Sequence, residues 1–428
     1  MRVVHIGPPL ARLGGPAGYL HELHGAGQGR SARGHEVCFP PAATPVPRPT
    51  PSPAAVPPSF WREKARRIKR RVLGPPRFYR PPLAELRQRG GRIHRTMEET
   101  AAQVVGESAA SLELARQRGA VLFTHDVLVA HHLLEERPAS REIWLLVHAP
   151  IPIALYLIWS WGVPEMSWEE ILRFPDVMAW VERELSVWER VDRLILPCRD
   201  AGAELVRCDP RFSGALERAD WLLTGAAGPA PADPAATRAI LRGRWSLPAD
   251  RPVGLFLGNA QPYRGLDALL AALPALPSEE DLPGVLAVAG PAPESLPPHP
   301  RLCPLGRVAD VAGLLRAVDF VVNVNRFSLF DLSTIEAVEA GLPLLLHDTG
   351  GNRTFRDLGA GCGMIPDLAP DSIAAGLAAL LGLTARERDA LGRASRACYE
   401  AHLTPAHLWE RHLDLYDRAG EERKESHA

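Results

Sequence analysis

The residues best placed to do chemistry lie between 321 and 352, in the stretch VVNVNRFSLFDLSTIEAVEAGLPLLLHDTGGN. Its pattern predicts a strand, a loop, a short helix capped by Asp331 or Ser333, and a second strand followed by a glycine turn. A loop that enters a helix directs backbone N–H groups and the positive end of the helix dipole at one point, which suits an anion. Glu336 falls about one turn inside the helix, where a carboxylate can accept hydrogen bonds from ribose hydroxyl groups. The stretch therefore predicts a nucleotide site.

A second candidate for phosphate binding lies near the start of the chain. Gly14 and Gly15 follow a predicted strand and precede a predicted helix. Because they lack a Cβ, they let the backbone approach a phosphate or a sugar closely. Another glycine stretch, 25–29, follows a helix rather than a strand. We therefore interpret it as a frayed helix end in preference to a phosphate loop.

The elements that must position these residues follow an alternating α/β pattern. Buried parallel strands are predicted at 2–6, 121–124, 143–147, 194–197, 253–257, 285–290, 304–306, 320–324 and 343–346. Helices are predicted at 266–273, 308–317, 370–381 and 385–416, before a solvated tail at 420–428. The Gly/Pro/Ala-rich stretch 225–234 divides the strands into two groups, which predicts a domain boundary.

The central stretch resembles the glycosyltransferases of family four (glycosyl transferases group 1), which have the GT-B fold. The signature of that family reads E-G-F-G-L-x-x-x-E-A-x-x-x-G-x-P. The positions that match it are Phe330, Leu332, Glu336, Ala337, Gly341 and Pro343. Ser328 stands where the family has its first Glu, and Leu329 and Asp331 stand where it has glycines. The resemblance implies that Glu336 holds the ribose and that residues 328–332 lie beside the donor sugar.

Two more phrases extend the resemblance. Residues 33–37 read RGHEV, as in the family. The family phrase G-R-x(n)-K-G, whose Arg and Lys bind the donor diphosphate, appears here as Gly258-Asn259 and Arg264-Gly265. Arg264 keeps the charge of the Lys and adds a planar fork that suits phosphate, whereas Asn259 removes one charge.

The first domain is expected to supply the acceptor side. His125, Asp126 and His148 follow predicted strands, at the sheet edge where ligands of α/β folds collect. The family has a residue near the donor's anomeric carbon at the position of His148, whereas Asp126 could instead cap the next helix. Tyr156 and Trp159 lie in an aromatic stretch that could either wall an acceptor pocket or form core.

The resemblance implies an α/β GT-B protein, with two Rossmann-like doubly wound domains facing an interdomain cleft. We predict an N-terminal acceptor-binding domain at 1–228, with a Pro-rich and basic insertion at 39–82. A C-terminal nucleotide-sugar-binding domain follows at 229–404. A last helix at 405–420 is expected to cross back to the first domain.

Composition argues against a protein that binds nucleic acid or spans a membrane. The 428 residues are 46% hydrophobic and 23% charged with a formal net charge of −1, so no global field favours nucleic acid. The six scattered cysteines form no CxxC pair, and the chain enters a strand directly, which predicts a cytoplasmic protein without a signal peptide. The longest apolar run, 149–161, is shorter than the roughly 20 residues that a membrane helix needs.

A basic amphipathic helix is predicted at 61–72, after a proline-dense stretch. It could make a weak contact with an anionic membrane at the inner face, or dock onto a phosphorylated acceptor. Alternatively, it could pack on its own domain with its charges in water, an interpretation that we favour slightly because one short basic helix binds membranes only marginally.

The resemblance implies transfer of a hexose from a nucleotide-diphosphate sugar to a sugar, lipid-linked or small-molecule acceptor, with retention of configuration, no metal and no cofactor. His148, Arg264 and Asp331 are the expected catalytic residues. The alternatives are a non-catalytic scaffold of the same fold, suggested by the changed first Glu and Arg, and a nucleotide-sugar epimerase. Because Ser328 and Asp331 leave polar groups in a recognisable loop, we favour an altered sugar specificity over lost activity.

Overall fold

A computed structural model describes residues 1–10, 15–42, 83–115, 120–136, 141–161 and 167–426. Two parallel sheets of six strands form its framework. The first sheet contains β1 (Arg2–Ile6), β2 (Glu36–Cys38), β3 (Ala120–Thr124), β4 (Ile143–Leu146), β5 (Arg193–Leu196) and β6 (Asp220–Trp221). The second contains β7 (Val253–Leu257), β8 (Val285–Ala289), β9 (Leu302–Gly306), β10 (Phe320–Asn323), β11 (Leu344–His347) and β12 (Cys362–Ile365). The predicted α/β class with two doubly wound units is confirmed.

Helices connect the strands in both halves. In the first half they are α1 (Gly15–Gly27), α2 (Leu83–Glu107), α3 (Ala109–Ala115), α4 (Val127–Glu135), α5 (Ile153–Trp161), α6 (Trp168–Ile171), α7 (Pro175–Arg190), α8 (Ala203–Cys208) and α9 (Phe212–Glu217). In the second half they are α10 (Arg238–Arg244), α11 (Leu266–Ala272), α12 (Val311–Ala317), α13 (Leu332–Glu339), α14 (Asn352–Asp357), α15 (Pro370–Leu381) and α16 (Ala385–Cys398). A π-helical turn, Tyr399–Leu403, then leads into α17 (Pro405–Ser426).

The strand order places one crevice in each sheet. The orders are β2-β1-β3-β4-β5-β6 and β12-β11-β10-β7-β8-β9, so the direction of winding reverses between β1 and β3 and between β7 and β10. In such sheets, ligands bind beyond the carboxyl ends of the strands at the reversal. The loops after β7 and β10 carry Arg264 and Asp331, and these two loops therefore meet.

The last helix completes the core of the first sheet. Leu408, Leu413 and Tyr416 of α17 are buried against a cluster that includes Val3 and Trp144. Burying large apolar side chains in this way stabilises a domain by about 1.5–3 kcal/mol each. The helix runs to Ser426, beyond its predicted end at 420, and most of residues 421–426 are exposed, as expected for a solvated segment.

Part of the RGHEV phrase contacts this helix. Arg33 donates to Asp414 at 2.6 Å, and His35 Nε2 lies 2.7 Å from an oxygen of Asp417. Helix α17 thus packs against the first sheet, although it follows the second in the chain. The predicted domain limits, 228/229 and 404/405, stay a prediction.

Other differences from the sequence prediction are local. The glycine stretch 25–29 begins inside α1, which ends at Gly27, as a helix end rather than a phosphate loop. Asp331 is the N-cap residue of α13, but its side chain makes no capping hydrogen bond. The predicted basic helix at 61–72, most of the 39–82 insertion and Gly14 lie outside the described residues.

Candidate active site

A cavity of about 560 Å³ lies between the carboxyl ends of the two sheets. Its wall on the first sheet includes Gly18, Tyr19, Glu22, His148, Pro150, Tyr156 and Thr224. Its wall on the second sheet includes Asn259, Tyr263, Arg264, Leu329, Phe330, Asp331, Leu332, Ser333 and Glu336. The volume falls in the range of small-molecule sites, and both walls carry polar groups.

Asp331 organises the second-sheet wall. Its Oδ1 accepts from Nη1 of Arg264 at 3.1 Å, and its Oδ2 accepts from Asn325 at 2.9 Å and from Ser328 at 3.0 Å. The carboxylate is therefore held by groups from the loops after both β7 and β10. Its hydrogen bonds go to these groups instead of to the start of α13, which is why it does not cap that helix.

Arg264 is the cation of this cavity wall. Burial disfavours its charged form, but Asp331, Tyr263 and Tyr156 outweigh that effect, so the pKa of Arg264 lies above its ordinary value. Gly265 follows with φ +71°, and a Cβ there would lie 2.0 Å from the carbonyl oxygen of Val324. Glycine at 265 therefore lets the loop after β7 approach the end of β10, which brings Arg264 to the cavity.

Glu336 lies on the same wall as Arg264, one turn inside α13, as predicted. The ring of Phe330 also lines the cavity, and it stacks on Phe355 with centroids 4.3 Å apart and planes 4° apart. Leu329 and Leu332 complete this part of the wall. The second sheet thus presents a carboxylate, a guanidinium and an aromatic face to one space.

Ser328 does not face the cavity. The residue is fully buried, and its hydroxyl lies within hydrogen-bonding distance of Asp331 and of Oδ1 of Asn352, at 3.0 and 2.9 Å. Close packing of the glycine turn covers it, because Gly350 has φ +43° and a Cβ there would lie 2.0 Å from the carbonyl oxygen of Ser328. Ser328 is thus not among the lining residues, and it supports Asp331; that it contacts the donor sugar stays a prediction.

Of the predicted donor-site glycines, Gly258 is not among the described residues that line the cavity, and Gly14 lies outside the described residues. Gly15 is the first residue of α1, and Gly18, one turn later, lines the cavity. Gly258 closes the end of β7, where its N–H donates to the carbonyl of Ala289 at 3.1 Å. Its neighbour Asn259 does line the cavity.

His148 is the imidazole on the first-sheet wall. Its Nε2 lies 3.1 Å from Nδ1 of His125, and burial lowers the pKa of His148 to about 3. The ring of Tyr19 lies edge-on to it, with centroids 5.0 Å apart. His148 is therefore neutral over the physiological pH range.

Three predicted acceptor-side residues lie elsewhere. His125 is fully buried behind His148. Asp126 accepts from the N–H of Leu128 at 2.7 Å and caps α4, the alternative considered from the sequence. Trp159 packs edge-on against Phe327, with centroids 5.1 Å apart, and lines a second cavity of about 700 Å³ instead.

Tyr156 does line the main cavity, where it meets Tyr263 of the other half with centroids 4.9 Å apart. Burial and then the neighbouring Tyr263 raise the pKa of Tyr156. Tyr263, Tyr19 and Glu22 were missed from the sequence. A usable signal existed for the last two, since they lie three residues apart on one face of the helix that follows the glycine loop.

Within the ranges that the structure describes, no cluster of three His, Cys, Asp or Glu side chains could hold a metal ion. Nor is any helix in the described part of the chain long and apolar enough to cross a membrane. All six cysteines are unpaired.

The fold and the cavity define a class: a two-domain α/β protein with its candidate site between the carboxyl ends of two facing sheets. Residues 251–382 match the family model described as Glycosyl transferases group 1. The match contains Arg264, Asp331 and Glu336, and the resemblance predicted from the sequence is confirmed.

Particular relatives agree with this class. The chain is 35% identical over 191 residues to a D-inositol 3-phosphate glycosyltransferase of Kineococcus radiotolerans, an alignment that covers 38% of this chain and 44% of that relative. The chain thus spans less than half the length of this curated relative. Among solved structures, it resembles sucrose-phosphate synthase of Thermosynechococcus elongatus (TM-score 0.62, 16% identity, covering 98% of this chain and 96% of the other). It also resembles HepE of Anabaena in complex with UDP-glucose (TM-score 0.58, 13% identity, covering 98% and 100%). At these identities the two structural likenesses show the GT-B fold alone.

Proposed function

We propose that this protein transfers a sugar from a nucleotide-diphosphate sugar to a hydroxyl group of an acceptor, with retention of anomeric configuration and without a metal ion. One observation carries the proposal: Arg264 and Glu336 line the same cavity, on the wall formed by the second sheet. A guanidinium and a carboxylate arranged in this way match the two ends of a nucleoside diphosphate, its phosphates and its ribose.

In the proposed complex, the second domain binds the donor. Arg264, which is charged throughout the physiological range, neutralises the diphosphate, and the backbone N–H groups at the start of α13 add further donors. Glu336 accepts from the ribose hydroxyls. Asp331 holds Arg264 in place and presents polar atoms near the sugar.

The reaction replaces one C–O bond by another. The bond between the anomeric carbon and the diphosphate oxygen breaks, a bond from the acceptor oxygen to the same carbon forms, and the acceptor proton passes to the leaving phosphate. Negative charge develops on that phosphate, so a fixed guanidinium there stabilises the transition state more than the ground state. His148 lies on the opposite wall and orients the reacting groups.

The test uses two variants and a matched pair of controls. Glu336→Ala and Arg264→Ala should each reduce turnover of nucleotide sugars by about a hundredfold or more, in the range found when a transition-state contact is removed. The controls are Arg251→Ala and Glu279→Ala, which break an ion pair of 3.0 Å in the same half and outside the cavity lining. Unchanged turnover in both Glu336→Ala and Arg264→Ala would remove the assignment.

A screen of UDP-, GDP- and ADP-sugars by calorimetry identifies the donor. NMR of the product then reports the anomeric configuration, and turnover in excess EDTA tests metal independence. A protein that binds none of these nucleotides at millimolar concentration is the scaffold considered from the sequence. Conversion of the donor sugar without an acceptor would indicate an epimerase.

For location, we propose a cytoplasmic protein. For residues 61–72 we put forward the less favoured of the two interpretations, a weak contact with anionic membranes, because it can be tested directly. The seven Lys and Arg among residues 61–71 support an electrostatic contact. Sedimentation with vesicles containing phosphatidylserine should retain the protein at low salt and release it at high salt. No retention on anionic vesicles at low salt would contradict the proposal.

A further inference from the structure

A chain of six hydrogen-bonding side chains lies behind the first-sheet wall of the cavity. It begins at His148 and ends at Tyr19, and both of these residues line the cavity. The members in between are His125, His5, Tyr416 and His412. The five contacts, in order from His148, measure 3.1, 2.9, 2.9, 3.0 and 2.9 Å.

The chain draws on distant parts of the sequence. His5 belongs to β1, Tyr19 to α1, and His412 and Tyr416 to α17, while His125 and His148 follow β3 and β4. His5, His125 and His412 are fully buried, and both His5 and His125 stack on Phe123. Burial lowers the pKa of each imidazole and raises the pKa of each phenol, so all six groups are uncharged at neutral pH.

Because all six side chains are uncharged, the number of protons on them is fixed. Each uncharged imidazole carries one N–H and one bare nitrogen, and each phenol carries one O–H. Six groups therefore supply six protons, while the chain has five contacts, each of which takes one proton. One proton must lie outside the contacts. It can be the proton of Tyr19, the proton of Tyr416, whose oxygen can accept from both of its neighbours, or a proton on Nδ1 of His148.

The burial of the two tyrosines decides between these three arrangements. The side chain of Tyr19 is 3% exposed, and within the described residues its hydroxyl has one hydrogen-bond partner, Nε2 of His412. If the proton at that end pointed away from His412, a buried O–H donor would be left unpaired, which is costly. Tyr19 therefore donates to His412. Tyr416 is fully buried, and within the described residues its hydroxyl has two partners, Nε2 of His5 and Nδ1 of His412, so the same cost keeps its proton inside a contact. Every contact after Tyr19 must then point the same way.

Following the donors along the chain gives one result. His412 Nδ1–H donates to Tyr416, Tyr416 donates to Nε2 of His5, His5 Nδ1–H donates to Nε2 of His125, and His125 Nδ1–H donates to Nε2 of His148. We infer that His148 is held as the Nδ1–H tautomer and acts on the cavity as an uncharged hydrogen-bond donor, with Tyr19, His412 and Tyr416 as the residues that set its proton position. In this state His148 donates to an oxygen of the bound sugar or of the leaving group and does not accept a proton from the acceptor.

The tautomer can be read without any assay of activity. In protein labelled with ¹⁵N-histidine, a long-range ¹H–¹⁵N spectrum distinguishes a protonated from a bare ring nitrogen, and loss of one signal set in His148→Gln assigns His148. The expected result is a protonated Nδ1 and a bare Nε2 for His148. A bare Nδ1, or an imidazolium at pH 7, would overturn the inference. This readout does not depend on the proposed transferase activity, so the two can fail separately.

Substitutions of His148 test the direction of the hydrogen bond, and this arm rests on the proposed function. The amide of Asn reaches the position of Nδ1, whereas the amide of Gln reaches that of Nε2. His148→Asn should therefore keep about tenfold more kcat than His148→Gln or His148→Ala, as expected for one retained hydrogen bond. Greater activity of the Gln variant would contradict the assignment.

Tyr416→Phe removes one hydroxyl from the middle of the chain, without contact with substrate. It leaves the His5 and His412 nitrogens without their partner, so the His148 signals should broaden or shift and kcat should fall by about threefold to tenfold, with the donor KM unchanged. The matched control is Tyr399→Phe, another buried tyrosine in the C-terminal region, whose hydroxyl donates to the carbonyl of Ala226 at 3.0 Å and lies outside the chain. If Tyr416→Phe does not fold, Tyr19→Phe tests the end of the chain with the same two readouts. Unchanged His148 signals in a folded Tyr416→Phe or Tyr19→Phe variant would refute the coupling between these tyrosines and His148.

Discussion

The buried imidazoles predict a loss of stability in mild acid. His5, His125, His148 and His412 all have a pKa well below the ordinary value of about 6.5, because burial disfavours their charged forms. An unfolded chain would bind protons at these four sites as the pH falls through about 6.5, whereas the folded chain would not. Stability is therefore fully present above that pH and is lost progressively below it.

The magnitude follows from linkage. Each imidazole has a pKa of about 6.5 in the unfolded chain, so it lowers the free energy of unfolding by about 2 kcal/mol between pH 7 and pH 5. The four together lower it by nearly 8 kcal/mol. Two buried carboxyl groups act in the opposite direction, since burial raises the pKa of Glu184 to about 8 and that of Asp126 to about 6. The folded chain binds protons at these two carboxyl groups at a higher pH than the unfolded chain does. This raises the free energy of unfolding by about 4 kcal/mol between pH 7 and pH 5. The net loss of about 4 kcal/mol is a large fraction of the 5–15 kcal/mol that is typical of a whole protein.

The assay is urea unfolding at pH 7, 6 and 5, followed by tryptophan fluorescence, to which the buried Trp144 and Trp188 of the first half contribute. The free energy of unfolding should fall by about 4 kcal/mol between pH 7 and pH 5, with most of the loss below pH 6. His94→Gln, at a site whose side chain is 52% exposed, should leave this pH dependence unchanged. A free energy that varies by less than about 1 kcal/mol over this range would refute the reasoning.

Three further predictions concern the loop and turn of the second-sheet wall. Ser328→Glu restores the family residue but buries a second carboxylate beside Asp331. It should therefore destabilise the protein by about 3–5 kcal/mol and abolish nucleotide binding. Calorimetry with UDP measures the binding, and Ser328→Ala is the control. Gly350→Ala should cost about 1–3 kcal/mol in urea unfolding, since its backbone has φ +43° and the new Cβ would meet a carbonyl oxygen; an unchanged midpoint would contradict this. Thr349→Val should lower the melting temperature by removing a hydrogen bond of 2.8 Å to the buried Glu204 of the other half, a loss of about 1–3 kcal/mol, and equal melting of variant and parent would show that the contact is dispensable.

The positions of Glu336 and Arg264 could be predicted because both depend on short-range patterns. Each lies in or before a helix that leaves a parallel strand, and parallel strands present their carboxyl ends at one edge. The segments that contain Arg264 and Glu336 follow two predicted strands. Ligands collect where the direction of winding reverses, so both residues are expected at one site. The structure has both side chains on one cavity wall.

The side-chain details could not be predicted because they depend on residues far apart in the chain. Ser328 is covered by the glycine turn that follows β11, and His125 is enclosed by partners from β1 and α1. No local spacing carries that information. The polar character of Ser328 was therefore correctly noted, but its direction was not.

Trp159 illustrates the same difficulty on the first-sheet side. It and Tyr156 are three residues apart in α5, yet they line different cavities. The aromatic stretch allowed either a pocket wall or core. Tyr156 faces the main cavity and meets Tyr263 there, whereas Trp159 packs edge-on against Phe327, and these partners are far from both residues in the sequence.

The path of α17 has a consequence for the order of folding during synthesis. Its apolar side chains finish the core under the first sheet, yet the ribosome adds them only after every strand of the second sheet has been made. The usual sequence, in which the N-terminal unit folds first, is therefore reversed here. The half built on the second sheet can close while the chain is still growing, and the half built on the first sheet must wait for α17 to emerge.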